Sequence, residues 1–462
     1  MQHPSRYLGR KLSLAAFDLL LVNGAFVASF IIRFGIDLQN FRSNLEAYLR
    51  ILPAVSVCSL LSIYLSGLYS NWLRKSRSFL VHSAVASAGI IVLAAIVLSF
   101  WERAFAVPRT IFLLAFPILA TLLGSSRLLC QWLHKSYMGG QRRVLVIASD
   151  VAATSALTRK FVETHGWYRV HRYLQTGQLA SLPALLPEVD TIAIGEGFAD
   201  QNHVVSLCMQ AGKEVLLVPA IAQLLLFSSR TQQVDDLLMF SVEPPTLSGP
   251  QKAIKRAMDV AFAGLLFLLV SPLLLLAGCL IRLDSKGPAI YRQERVGQKG
   301  KLFHIFKFRT MKVDAESHSG PVLASEQDPR ITRVGRFLRA SRIDELPQLL
   351  NVLLGDMSFV GPRPERAFFV EQFERETPGY RLRLNVKPGI TGLAQVWGKY
   401  STEVKDKLRL DLMYIANYSP LLDITIMIQT LRVVLLRQQA EGIKEPSLVK
   451  LPSERLWSEL RS

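Results

Sequence analysis

The chain is 462 residues long, 50% of them hydrophobic, with 54 Lys and Arg against 36 Asp and Glu and a formal net charge of +18. Such an apolar share is high for a soluble protein, and the length allows two or three domains, so membrane segments joined to soluble mass are expected. The positive charge calls for an anionic partner; without zinc-finger spacing or interleaved basic and aromatic positions the partner is no nucleic acid, which leaves lipid headgroups and phosphorylated substrates.

Four apolar stretches come first, roughly Leu12 to Ile32, Ile51 to Tyr69, Phe79 to Phe100 and Thr110 to Leu133. Each is close to the ~20 residues a helix needs to cross the hydrocarbon core. Short connections predict antiparallel neighbours, a four-helix transmembrane domain over residues 1–140. Basic residues fix its orientation. Arg6, Arg10 and Lys11, then Arg74, Lys75 and Arg77, then Lys135, Arg142 and Arg143 lie on one side, expected to be the cytoplasm. The opposite loops hold Arg33, Arg42 and Arg50, partly offset by Asp37 and Glu46, then Arg103 and Arg109 with Glu102. Asp18 lies inside the first span, either as a functional intramembrane carboxylate or near enough to the helix start to sit at headgroup level. Cys58, Cys130, Cys208 and Cys279 follow no metal or disulfide spacing and read as buried reduced thiols.

Residues 141–243 change texture. Strands "RVLVIAS", "DTIAIGE" and "VLLVPAI" alternate with helices "VAATSALTRKFVETHG" and "NHVVSLCMQAGKEV", the pattern of a Rossmann-like parallel α/β sheet. The turn after the first strand, Ile147-Ala148-Ser149-Asp150-Val151-Ala152, has no glycine through which backbone could approach a pyrophosphate, and Asp150 would repel one. A structural or regulatory role fits better than nucleotide binding. The proline-rich run over residues 244–252 reads as a linker.

A fifth apolar run, Val260 to Leu283, is long enough to span. Ser271-Pro272 breaks it in the middle, and basic residues flank both ends: Lys252, Lys255 and Arg256 before, Arg282, Lys286 and Arg292 after. Two readings fit locally, a fifth crossing with a tolerated proline or a helix over 257–283 that re-enters on the cytoplasmic side.

The densest signal runs from Lys301 to Glu365. "FHIFKFRTM" puts Lys307 and Arg309 on alternate positions, one face if it is a strand. Arg333, Arg336, Arg339 and Arg342 precede the adjacent pair Asp344-Glu345, which opens an expected helix from Glu345 to Leu354 with Gly355 past its end. Gly361-Pro362-Arg363-Pro364 is a stiff turn holding one arginine. Phosphoryl transfer uses such parts: guanidinium groups that grip phosphate, a carboxylate that holds Mg²⁺, and a second carboxylate that attacks phosphorus. The helix dipole would keep Asp344 ionised. The plainer readings are an N-capping aspartate and a basic surface for headgroups.

The string "DELPQLLNVLLGDMSFVGPRPE", Asp344 to Glu365, resembles the signature of the bacterial sugar transferases, the polyprenyl-phosphate hexose-1-phosphate transferases or monotopic phosphoglycosyl transferases. "KRAMD" at 255–259, "FKFRTM", "KPGITGLAQVWG" at 387–398 and "LRLDLMYIANYSPLLDITI" at 408–426 agree with it, so the resemblance covers about 200 residues as an ordered set. The first half is similar to the long form of the family in architecture alone. The resemblance implies a multi-domain membrane protein whose mostly helical catalytic domain, residues 253–462, carries a re-entrant membrane helix broken at Ser271 and Pro272. It implies Asp344 as nucleophile, Glu345 as ligand of the cofactor Mg²⁺, Arg363 as phosphate holder, and Lys307, Arg309, Arg339 and Asp411 as further substrate or phosphate-binding positions. The implied partners are a UDP-sugar, glucose or galactose before an N-acetylated sugar, undecaprenyl phosphate, membrane lipids and a second copy in a homodimer. The implied setting is the bacterial inner membrane, multi-pass, with the catalytic domain in the cytoplasm. An NAD-dependent nucleotide-sugar-modifying enzyme built on the middle domain would retain NAD on purification. A scaffold of a polysaccharide assembly complex would release no UMP.

Overall fold

A computed structural model gives the fold and describes residues 4–35, 37–69, 75–101, 107–137, 141–162, 167–198, 200–227, 229–311, 328, 330–399 and 402–436. Arg74, Glu102 and Arg103 lie outside the described residues. The chain divides into two compact units, Met1–Val218 and Pro219–Ser462.

The first unit opens with α1 (Pro4–Phe34), α2 (Leu38–Leu65), α3 (Arg77–Trp101) and α4 (Arg109–Tyr137). All are long and apolar enough to cross a membrane. Each packs on its sequence neighbour and α1 also packs on α4, around one core that includes Phe26, Phe30, Tyr48, Ile91, Ile111 and Leu119. On α3 the buried positions Ser83, Ala84, Ser87, Ala88 and Ala95 are small, which lets neighbouring backbones approach closely. Asp18 is buried between helices, and its Oδ2 accepts from Arg127 Nη2 of α4 at 2.6 Å.

The sheet of the same unit has its own core. It follows as β1 (Arg142–Ala148), α5 (Val151–Val162), β2 (Tyr168–Gln175), α6 (Leu182–Leu185), β3 (Thr191–Ile194), α7 (Gln201–Gln210) and β4 (Glu214–Leu217). The strand order is β2-β1-β3-β4, all parallel. Strand β2 is the element the sequence did not announce: Arg169, His171 and Arg172 break its apolar alternation because it lies at the sheet edge. Asp150 accepts the Ala153 amide at 2.8 Å, so the N-terminus of α5 is capped by the chain's own carboxylate. Trp167 meets His134 at a ring-centroid distance of 5.9 Å and Lys135 at 5.1 Å, tying the sheet to the last turn of α4. All four cysteines are free; Cys208 is buried, whereas Cys279 is exposed.

The second unit begins with α8 (Ile221–Leu226) and the antiparallel hairpin β5 (Arg230–Val234) and β6 (Leu237–Ser241). Leu224 and Leu247 join the core of this unit, so α8 packs with the catalytic half. Helix α9 (Gly249–Asp284) starts at a capping box, Ser248 with Gln251. It runs unbroken through Ser271 and Pro272. The hairpin β7 (Ile290–Val296) and β8 (Leu302–Phe308) follows, then α10 (Arg333–Ala340), α11 (Gln348–Leu354), β9 (Ser358–Val360) and α12 (Ala367–Glu376). The chain continues with β10 (Gly389–Thr391), α13 (Leu393–Trp397), α14 (Val404–Ala416) and α15 (Pro420–Leu436).

One side of α9 packs on this unit along its length. Ala263 lies in a core with Phe303, Ile305 and Leu349, and Ala277 and Ile281 in another with Phe308 and Leu338. At its start, buried Lys255 pairs with Asp423 at 2.6 Å, and Asp259 accepts Ser358 Oγ and the Phe359 amide. At its end, Arg309 donates to the carbonyls of Ser285 and Lys286. The opposite side, Leu265, Leu268, Leu269, Leu275, Leu276 and Leu283, is an exposed apolar stripe at helical spacing.

Candidate active site

The segment after α10 turns sharply. Arg342 adopts φ 59°, a left-handed conformation that costs a non-glycine residue of order 1 kcal/mol or more. Ile343–Glu345 then form a single 3-10 turn, and the α-helix starts only at Gln348. The expected helix start at Glu345 is thus displaced: Pro347 takes the cap position, where its missing N–H leaves no intrahelical bond unmade. Gly355, at φ 96°, ends the helix as the sequence indicates.

The turn brings Asp344 and Glu345 into a ring of cations. Glu345 Oε1 accepts Lys307 Nζ at 3.0 Å and Arg363 Nη2 at 2.9 Å, while Oε2 lies 3.5 Å from Arg342 Nη1. Burial opposes ionisation of Glu345, but the charges of Lys307, Arg363 and Arg342 outweigh it and hold the carboxyl well below the usual range. Asp344 behaves oppositely. Burial and the adjacent Glu345 charge push it up to about 6, against the pull of Lys307, Arg339 and Arg342. The α-helix whose dipole was expected to keep it ionised starts only at Gln348. Its Oδ1 is buried without a hydrogen-bond partner.

The remaining sequence candidates divide. Lys307 and Arg363 meet on Glu345, and Arg339 feels the Asp344 charge while its Nε donates to Thr310 Oγ1 at 2.8 Å. Arg309 is buried at the end of α9, a structural tie, and does not join Lys307. Asp411 is buried on α14 and pairs with Arg383 at 2.8 Å. Ser271 Oγ donates to the Leu268 carbonyl on α9.

The Arg363 turn is held by its backbone. Gly389 N–H donates to the Pro362 carbonyl at 2.9 Å, Arg383 Nη2 to that of Arg363 at 3.0 Å, Arg295 Nη1 to that of Pro364 at 3.1 Å, and Val296 N–H to that of Glu365 at 2.9 Å. Gly361 and Gly389 allow this closeness: a Cβ on Gly389 would lie 2.1 Å from the Gly361 nitrogen. Sequence reading missed Arg295 and Arg383, which stand far from the motif in the chain and carry no local signal. Lys407 on α14 was also passed over; burial lowers its ammonium, against the opposing pull of Glu365.

A carboxylate pair ringed by Lys and Arg, in the same unit as a long helix with an exposed apolar stripe, is the arrangement that transfer of a phosphorylated group at a membrane calls for. The profile of the family described as Bacterial sugar transferase matches residues 250–437. The UDP-N-acetylgalactosamine-undecaprenyl-phosphate N-acetylgalactosaminephosphotransferase of Aeromonas hydrophila is 48% identical over 185 residues, 39% of this chain and 44% of that protein. The UDP-glucose:undecaprenyl-phosphate glucose-1-phosphate transferase of Escherichia coli (strain K12) is 35% identical over 321 residues, 65% of this chain and 68% of that one. The undecaprenyl-phosphate galactose phosphotransferase of Salmonella typhimurium is 34% identical over 244 residues, 49% and 50% of the two chains. The chain belongs to the bacterial sugar transferase family.

Proposed function

We propose that the protein transfers a hexose-1-phosphate from a UDP-sugar to undecaprenyl phosphate, an early membrane step of exopolysaccharide, capsule or O-antigen synthesis. The observation that carries the reading is the split of the acidic pair: Glu345 is locked as an anion by three cations, while the neighbouring Asp344 keeps a buried oxygen without a partner. In this reading an Asp344 oxygen attacks the β-phosphorus, an Asp344–phosphorus bond forms, the bond to the α-phosphate oxygen breaks, and UMP leaves. An oxygen of undecaprenyl phosphate then attacks the same phosphorus and frees the Asp344 carboxylate. Arg363, with Lys307 and Arg339, neutralises oxygens of the transferring group. Because Asp344 titrates near 6, it is largely ionised at neutral pH.

The donor set suits Mg²⁺, which takes one or two carboxylates and completes its shell with phosphate oxygens and water. Glu345 Oε2, whose contact to Arg342 is long, is the oxygen that would hold it. Bound there, the ion would add charge neutralisation at the diphosphate. Among the described residues no cluster of three or more His, Cys, Asp or Glu forms a cage.

The contacts of α9 support a helix held on one side of the membrane rather than a crossing. Ala263 and Ile281 are separated by 18 positions, about 27 Å of helix, close to the thickness of the hydrocarbon core. Both are buried against the soluble elements β8, α10 and α11, which a crossing helix would drag through lipid. A helix lying at the interface with its leucine stripe in lipid avoids that cost and brings the acceptor phosphate to the site, on the cytoplasmic side where the donor is found. The relatives' names divide among N-acetylgalactosamine, glucose and galactose. Glucose or galactose is our proposal for the sugar, and a homodimer for the assembly. The test is UMP release and lipid-linked sugar formation by the purified full chain with undecaprenyl phosphate, Mg²⁺ and a panel of UDP-sugars. Wild type is expected to give both and Asp344→Asn neither; turnover by Asp344→Asn at the wild-type rate refutes the nucleophile.

A further inference from the structure

The turn that carries Arg363 has no slack. Its carbonyls at residues 362, 363, 364 and 365 each accept a hydrogen bond, and two of the donors are arginine side chains from elsewhere in the chain. Arg383 is the better fixed of these. It sits in a 3-10 turn, Tyr380–Asn385, and is buried. Its Nε donates to Asp411 at 2.8 Å, its Nη1 to Tyr380 Oη at 2.8 Å, and its Nη2 to the Arg363 carbonyl at 3.0 Å. The Asp411 charge holds this guanidinium in place on one side, and the tyrosine ring lies 5.0 Å away on another. Arg295 is tied in the same manner: it donates to Gln293 Oε1 at 2.7 Å and to the Pro364 carbonyl at 3.1 Å, near the Glu365 carboxylate at 3.5 Å.

Neither arginine contacts Asp344 or Glu345. Both act on the main chain of the residue whose side chain does.

We infer that Arg383, oriented by Asp411 and Tyr380, is a positioning residue for Arg363, with Arg295 as its counterpart one carbonyl further on. This rests on the reading that Arg363 grips phosphate. It also gives Asp411 a different job from phosphate binding: the carboxylate orients the guanidinium that orients the turn. Burying one charge without the other is costly, so the pair works only together. An arginine is required because its fork spans Asp411, Tyr380 and a carbonyl at once, which a lysine ammonium cannot do in fixed geometry.

The experiment uses the full chain in detergent with Arg383→Gln/Asp411→Asn, which removes both buried charges, alongside Arg295→Gln, Arg363→Ala and Arg363→Ala combined with the pair. Steady-state UMP release is measured with UDP-glucose, UDP-galactose and UDP-N-acetylgalactosamine, together with amide hydrogen exchange over residues 361–366 and the thermal midpoint. The paired variant and Arg295→Gln should each speed exchange at the turn. They should lower kcat/KM by about 10- to 100-fold, the scale of a misplaced positioning group, while the thermal midpoint stays near wild type. On an Arg363→Ala background the pair should cost almost nothing more, because its effect passes through Arg363. Full additivity on that background, or unchanged exchange at the turn, overturns the inference. If wild type releases no UMP from any donor, the proposed function falls, and the exchange measurement alone then decides the positioning role. Should the paired variant fail to fold, Arg295→Gln carries the same test at the neighbouring carbonyl.

Discussion

Adjacent acids with opposite titration behaviour are the central feature at the residue scale. A folded-state pKa above the ordinary aspartate value means that the folded protein binds the Asp344 proton more tightly than the unfolded chain does. Its contribution to stability therefore falls as pH rises toward about 6 and stays unfavourable above. Glu345 has the reverse sign: its pairing stabilises above the normal glutamate range and is lost only as pH falls through its depressed value. Asp344→Asn is thus expected to raise the thermal midpoint by about 2–8 °C at pH 8, with the gain vanishing near pH 4. Differential scanning fluorimetry across pH checks this, and a midpoint lowered at pH 8 contradicts it.

At the scale of elements, the leucine stripe and the packed face of α9 make one helix with two solvents. With Cys58, Cys130, Cys208 and Cys279 replaced by Ser, Lys252→Cys and Lys286→Cys at the two ends of α9 should both resist a membrane-impermeant thiol reagent in intact cells. Both should react after the membrane is opened, and labelling of only one end in intact cells would mean a crossing. Much of this level was legible in the sequence. The parallel strands β1, β3 and β4, the strand β8 and the Gly355 helix end followed from runs of Val, Ile and Leu, from alternation and from glycine chemistry. Strand β2 was not, because an edge strand need not be apolar. The shape of the acidic turn was not, because a positive φ at a residue other than glycine, such as Arg342, carries no local sequence signal. Candidate residues inside motifs were found; those that brace them, Arg295 and Arg383, stand in segments whose local pattern says only strand or turn. The motif Lys255 to Asp259 gained a physical role: both ends of "KRAMD" are buried anchors that fix the start of α9 to α15 and to β9.

For the whole molecule, the two units are each organised around buried charge. In the first, Asp18 and Arg127 are fully buried partners on the first and last of the four long helices. Arg127→Met leaves the carboxylate unpaired and should destabilise by about 3–5 kcal/mol, whereas Asp18→Leu combined with Arg127→Met should recover most of that loss. Unfolding in mixed detergents measures both, and a double variant no better than the single one would deny the pair its role. The pair also has a consequence during synthesis. Asp18 emerges 109 residues before its partner. At roughly 5–20 residues per second the ribosome takes on the order of 5–20 s to deliver Arg127, and for that interval the nascent first helix carries an unanswered acid toward lipid. Nascent chains halted just before Arg127 are therefore expected to stay crosslinked to the insertion machinery or be degraded, and those halted after Tyr137 to leave it, a difference that pulse-chase crosslinking would detect.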